Sequence, residues 1–243
     1  MSVKLPNSIT AINDYTFSLC KKLSFIFIPE SVNSIYDSAF VSSGLTSIFI
    51  PKSVSSIGLN SFACCSKLEA INVAIENQAF MSKEGVLFNH DITTLYAYPG
   101  GKKGRYSIPY GVTKIFDNAF YNCSELSYVS IPYSVSSIGW YAFEYCSQLS
   151  SVIIPQNVDY LNWGTFSNCD NLSLVIYLGE STSGNSGNFD NCPKLNEVHV
   201  LSNYSSNFYC SDMPVRKCIN TDSCGASTKY IFDNYTGNLF ING

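Results

Sequence analysis

IPYSVSSIGWYAFEYCSQLSSVIIP runs from Ile131 to Pro155. It opens and closes on an aliphatic residue followed by proline, and Pro132 and Pro155 stand 23 residues apart. Between them Phe143 is followed three residues later by Cys146, and Cys146 three residues later by Leu149. The same spacing recurs in both directions along the chain. Pro6, Pro29 and Pro51 are 23 and 22 apart, Ala74 takes the next slot, and Pro109, Pro132 and Pro155 resume the period. Leu178 and Leu201 continue it without the proline. The step from Ala74 to Pro109 is 35 residues, so that unit carries an insertion.

The other columns keep step. Seven Phe recur (Phe17, Phe40, Phe62, Phe120, Phe143, Phe166, Phe189), and six of them have Cys three residues on: Cys20, Cys65, Cys123, Cys146, Cys169 and Cys192. The exception is AFVSSGL, where the unit is one residue short. Each proline slot is preceded by L-x-x-[IV]-x-[IVY] and followed by V-x-x-[IL]. A period of 20–29 residues with aliphatic columns predicts a solenoid, because no coil can bury its own apolar face and stacking supplies the missing partner. The L-x-x-I-x-I run predicts a short strand with alternate residues inward, ended by a proline that cannot donate to a ladder. V-x-x-I and the Ala-Phe pair predict an opposite wall, irregular or 3₁₀-like. Phe fills each coil, and the stack makes one continuous core. Cys, small and weakly donating, suits the turn back to the strand.

The consensus [AS]-F-x-x-C-x-x-L-x-x-I-x-I-P-x-x-V-x-x-I-G resembles the BspA-like, or treponemal-type, leucine-rich repeats over residues 1–201, in about nine copies of 22–23 residues. The resemblance implies a right-handed, β-rich leucine-rich-repeat solenoid. FMSKEGVLFNHDITTLYAYPGGKKGRYSIP resembles the family's extended repeat, which adds a β-hairpin, here at about 74–109. Residues 202–243 are expected to form a C-terminal cap, with KYIFDNYTGNLFI as a hairpin.

Composition narrows the function. Only 13% of the 243 residues are charged, and 14 basic against 18 acidic residues give a net charge of −4. Ser, Asn, Tyr and Thr take the place of the missing charge. Nucleic acid needs a basic stripe, and pairs such as Lys21-Lys22 and Lys102-Lys103 are too short to make one. No run of about 18 apolar residues predicts a membrane span, and MSVKLPNSITAIND lacks the apolar region of a secretory signal. The sequons at Asn122, Asn171, Asn203 and Asn234 say little in so Asn- and Ser-rich a chain. PGGKKG (99–104) lacks phosphate-loop spacing and is expected at the tip of the extended repeat. GESTSGNSGNF (179–189) stays in frame and is expected to be a degenerate, more mobile coil. Cys64 is expected to point outward. Cys210, Cys218 and Cys224 lie past the repeats without zinc spacing, so no metal is expected. There are two His. His90, in a predicted hairpin turn, is expected in solvent; His199, near Glu197, has no nucleophile at a fixed offset. No catalytic motif appears, and neither an enzyme nor a cofactor is expected.

With the L, I and I columns inward, Phe25, Phe27, Phe49, Tyr128, Ile153, Leu174, Ile176, Glu197 and His199 are the notable side chains expected to face outward from the strands. Solenoids bind through this face, and an apolar strip of such length predicts a surface for protein ligands or for self-association. The uncapped first strand, SVKLP, offers an edge for pairing with a second chain. The resemblance implies a microbial cell-surface or secreted adhesin that recognises host, matrix or partner-cell proteins. Two readings stand beside it: an intracellular, cytoplasmic scaffold, and a glycan-binding protein suggested by the Tyr-rich surface.

Overall fold

The computed structural model describes residues 1–179 and 187–200 throughout. Beyond them it describes the backbone of Ser183–Gly184, Val198–Leu201, Val215–Cys218, Lys229–Asp233 and Asn238–Asn242. The expected coils of GESTSGNSGNF and the role of 202–243 as a cap therefore fall largely outside the described residues. So do Cys210, Cys224 and the sequons at Asn203 and Asn234.

Every described element is a strand, and the strands stack into two walls. The front wall is the L-x-x-I-x-I row: Ser2–Lys4, Phe25–Phe27, Ser47–Ile50, Ala70–Val73, Gly104–Ser107, Leu126–Ser130, Ser151–Ile154, Leu174–Tyr177 and Val198–Leu201. Within four hydrogen-bonded groups its strands pair in parallel and keep the column register, as in Val152↔Val175 and Val175↔Val198. One further parallel strand, Val215–Cys218, extends the row past the last column. The back wall is a series of two-residue strands, Ala11–Ile12, Ser34–Ile35, Ser56–Ile57, Lys114–Ile115, Ser137–Ile138, Tyr160–Leu161 and Ser183–Gly184. Lys229–Asp233 and Asn238–Asn242 form an antiparallel pair. The interior holds the predicted columns, with Leu45, Leu68, Leu126, Leu149, Leu172, Val135 and Val158 all buried.

The wall between back strand and front strand is wound as consecutive turns, the irregular rather than the 3₁₀-like of the two forms expected. In each coil the residues two before and two after Phe take positive φ, as at Tyr141 and Tyr145 (54° and 61°) around Phe143. Alternating left- and right-handed residues cannot form a helix. They point every second N–H along the stack. Tyr141, Phe143 and Tyr145 thus donate to the carbonyls of Trp163, Thr165 and Ser167 in the next coil, at 3.0, 2.9 and 3.1 Å. The Phe rings inside this wall stack: Phe120–Phe143, Phe143–Phe166 and Phe166–Phe189 lie 4.6, 5.1 and 5.6 Å apart and nearly parallel.

The cysteine column has a structural reason beyond size. Each thiol donates to the carbonyl of the ring-bearing residue one coil earlier: Cys146 to Phe120, Cys169 to Phe143 and Cys192 to Phe166, each at 3.2 Å. In the short unit Ser43 holds the cysteine position and meets the Cys65 sulfur at 3.3 Å. Cys20, expected to be buried with the rest, is exposed. Cys64 is half-buried. Ser and Asn on the rims serve the same stacking. Ser150 and Ser173 hydroxyls donate to the carbonyls of Ser127 and Ser150, and Asn171 to that of Ser147. Side chains spent on inter-coil bonds explain how a surface so poor in charge remains polar.

Burial raises the thiols of Cys65 and Cys123, and pushes Cys146 up to about 12 from an ordinary value of 9.0. A folded-state pKa above the unfolded one means that the native state holds the proton longer. The stability is then complete below pH 9 and is lost as pH rises toward 12, by up to ~1.4 kcal/mol per pH unit for each thiol. Urea midpoints are expected to be flat up to about pH 8 and to fall above 9, less steeply in Cys146→Ala. A midpoint unchanged up to pH 11, or an unchanged slope in the variant, would contradict this.

The extended repeat departs most from expectation. The hairpin is present, Phe80–Lys83 against Val86–Asn89, but a third strand, Thr94–Ala97, pairs with both Val86–Asn89 and the back strand Lys114–Ile115. Val86, Leu87 and Phe88 are all fully buried. A strand buried on both faces has no polar alternation, and VLF has none. The strand crosses the interior as a partition. Leu87 packs into a core running from Ile12 to Ile71, while Val86 and Phe88 pack into one running from Leu95 to Val200. The expected continuous core is thus divided by this strand into two buried clusters, which touch through Tyr96, 5.3 Å from the Phe80 ring and 4.7 Å from the Phe116 ring. PGGKKG is not at the hairpin tip, which Glu84 and Gly85 form beside Ala70. It lies instead on the preceding coil, where a Cβ at Gly101 would come within 2.6 Å of the Lys67 carbonyl carbon. His90, expected in solvent, is half-buried because its Nδ1 sits 3.0 Å from the Asn77 carbonyl.

Candidate binding face

On every front strand the inward residue is flanked by two that face out. Ile26 is buried between Phe25 and Phe27, which are 48% and 50% exposed, and Ile48 is buried before Phe49, 49% exposed. These three half-exposed Phe stand on two successive front strands and form an apolar patch. The parallel register puts Lys4 beside Phe27, and Phe49 beside the exposed amide of Asn72.

Past the partition the face changes. Arg105 pairs with Tyr128, and its guanidinium lies 5.5 Å from the centre of that half-buried ring. Burial raises the Tyr128 phenol, and the Arg105 charge opposes the shift. Both Arg105 and Ser107 were absent from the outward row drawn from sequence. The signal was present: RYSIP repeats the I-x-I-P frame, with Tyr106 and Ile108 inward.

Further along, Ile153, Ile176 and His199 share one register position. They lie on the outer face, as expected, but not in solvent. Ile176 is buried, packed by Ile153, Leu174 and Leu178. His199 is buried too, its Nε2 3.1 Å from the half-exposed Glu197 carboxylate. Aliphatic side chains at one register on adjacent coils close over each other, as Phe25, Phe27 and Phe49 do not. The nine outward residues thus divide into a solvent-facing trio (Phe25, Phe27, Phe49) and a withdrawn group (Tyr128, Ile153, Leu174, Ile176, Glu197, His199).

Among the described residues no group of three His, Cys, Asp or Glu side chains is placed to hold a metal ion, and no helix is long and apolar enough to cross a membrane.

A family profile for the BspA-type leucine-rich repeat region, in six copies, matches residues 1–100 and 95–213. The chain belongs to this family. The BspA-type fold recurs in solved bacterial proteins. A leucine-rich cell surface protein of Faecalibacterium prausnitzii superposes with a TM-score of 0.69 at 27% identity, over 87% of this chain and 62% of that one. The pneumococcal vaccine antigen PcpA superposes at 0.76 with 23% identity, over 89% and 57%. A leucine-rich-repeat protein of Eubacterium ventriosum gives 0.65 with 21% identity, over 84% and 67%. The chain thus spans about three fifths of the length of the first two. No curated protein matches it.

Proposed function

We propose that this BspA-type protein is a non-enzymatic adhesin, displayed on or released from a microbial cell, and that it binds a host, matrix or partner-cell protein through the Phe25–Phe27–Phe49 patch. The observation that carries this reading is the patch itself. Three large apolar side chains stand half in solvent on two successive strands whose inward residues, Ile26 and Ile48, are fully packed. Aromatic anchors of this kind dominate protein interfaces. Lys4 lies beside Phe27 at the edge of the patch, so an acidic group on the partner would be complementary there. The likeness to a cell surface protein of Faecalibacterium prausnitzii supports the location.

Phe27→Ser/Phe49→Ser is expected to abolish capture of a partner from host-matrix extract, or to abolish self-association, while leaving the unfolding midpoint within about 0.5 kcal/mol of the parent because neither ring is in the core. Retention of both binding and self-association in the double variant would remove this face as the site. The same face would serve an intracellular scaffold; labelling of intact cells with a membrane-impermeant reagent separates the two locations.

A further inference from the structure

The chain has two tryptophans, and both stand outside. Trp140 is 55% exposed and Trp163 51%, although tryptophan is highly buried on average and seven Phe positions fill the interior. The two occupy one column of the lateral wall, each two residues past the inward residue of its back strand, Ile138 or Leu161, which pair in register. Their backbones are therefore about 4.8 Å apart. At that spacing the interior Phe rings stack on one another. Among the described residues neither indole is paired with another ring, and the Trp163 Nε1 lies close to Gly187 of the next coil.

Acceptors stand beside them. The Asp117 carboxylate, one coil earlier, accepts from the backbone N–H of Trp140 through Oδ1 at 2.9 Å. Its second oxygen has no partner among the described residues. The Asn162 amide is fixed by donating from Nδ2 to the Ile138 carbonyl at 2.6 Å, and its Oδ1 has no partner among the described residues. Charge limits the ligand further: residues 115–193 contain no Lys, Arg or His. The Trp140 and Trp163 coils therefore hold no group that can neutralise a phosphate, a sulfate or a sialic acid; Lys114, in the coil of Asp117, lies 5.1 Å from the centre of the Phe116 ring.

We propose that Trp140, Trp163, Asp117 and Asn162 form a site for a neutral glycan, on a wall separate from the strand face. The C–H face of a pyranose matches the negative face of an indole, and vicinal hydroxyls supply the donors that Asp117 and Asn162 lack. A protein ligand fits less well. It would have to desolvate both acceptors, and an aromatic strip two coils long, about 10 Å, is far short of the ~1,000 Å² that a stable protein interface needs.

Because the chain has no other tryptophan, indole emission reports this site alone. The full chain is titrated with four neutral tetrasaccharides, of β-1,4-glucose, α-1,4-glucose, β-1,4-mannose and β-1,4-N-acetylglucosamine. A heparin tetrasaccharide is the anionic control. At least one neutral probe is expected to give a saturable blue shift, and heparin none. Trp140→Ala and Trp163→Ala, both at exposed positions, are each expected to weaken that affinity about tenfold, while Phe27→Ser/Phe49→Ser leaves it unchanged. The proposal is overturned if no neutral probe saturates, or if either alanine variant binds as the parent does. A concentration-dependent dimer that disappears in the Trp variants would overturn it in favour of a second copy of the chain.

Discussion

Phe143→Ala is expected to lower the free energy of unfolding by about 4 kcal/mol, near the upper end for a single core truncation. The ring is fully buried and stacked on both sides, 4.6 Å from Phe120 and 5.1 Å from Phe166. Truncation removes both stacking contacts and leaves a void that the neighbours cannot close. Phe120 and Phe166 are held by backbone bonds of their own, to Ala142 at 2.8 Å and Asn188 at 2.9 Å. Phe143→Leu restores much of the volume and is expected to recover about half the loss. Urea unfolding at pH 7 measures both. A loss below about 2 kcal/mol for Phe143→Ala would mean that the coils slide together to fill the gap. Repeat proteins owe their stability to nearest-neighbour interfaces, so the loss should be felt first in the coils holding Phe120 and Phe166.

The interior was legible in the sequence for a physical reason. One cross-section recurs, so each column meets the same packing problem and accepts few residues. Phe143, Cys146 and Leu149 stand where their spacing placed them, and even the unit without cysteine keeps its contact through Ser43. The surface was only half legible. That Phe25, Phe27 and Ile176 face outward follows from strand alternation. That Ile176 is nonetheless buried does not, because its cover comes from Ile153, Leu174 and Leu178 on neighbouring coils and at the strand end. Arg105 was missed because the insertion broke the proline count before the frame resumed. Trp140 and Trp163 were missed as a pair because their column is variable, with Leu59 and Asp117 holding it in other coils. In three coils Asp14, Asp37 and Asp117 hold the column and accept the next coil's backbone N–H, but nothing in the repeat requires an aromatic there, so attention passes over it. On this molecule such columns bear the exposed aromatics.

The partition through the extended repeat has a sharper consequence, in which adjacent residues of one strand control opposite halves of the molecule. Leu87 belongs to the core of the N-terminal coils, and Phe88 to that of the C-terminal coils. Both are fully buried, so Leu87→Ala is expected to cost about 3 kcal/mol and Phe88→Ala about 4 kcal/mol. Total stability alone would not distinguish the two sites; native-state hydrogen exchange would. In Leu87→Ala, protection should fall at Ile26, Ile48 and Ile71 and hold at Val152 and Val175. In Phe88→Ala the pattern should reverse. The reversal follows because side chains on opposite faces of one strand touch different neighbours, and energetic coupling in a stacked array passes mainly between adjoining units. Equal loss of protection in both halves for either variant would mean that the solenoid unfolds as a single unit. The strand Val86–Asn89 would then be a splice joining one core, not a wall between two.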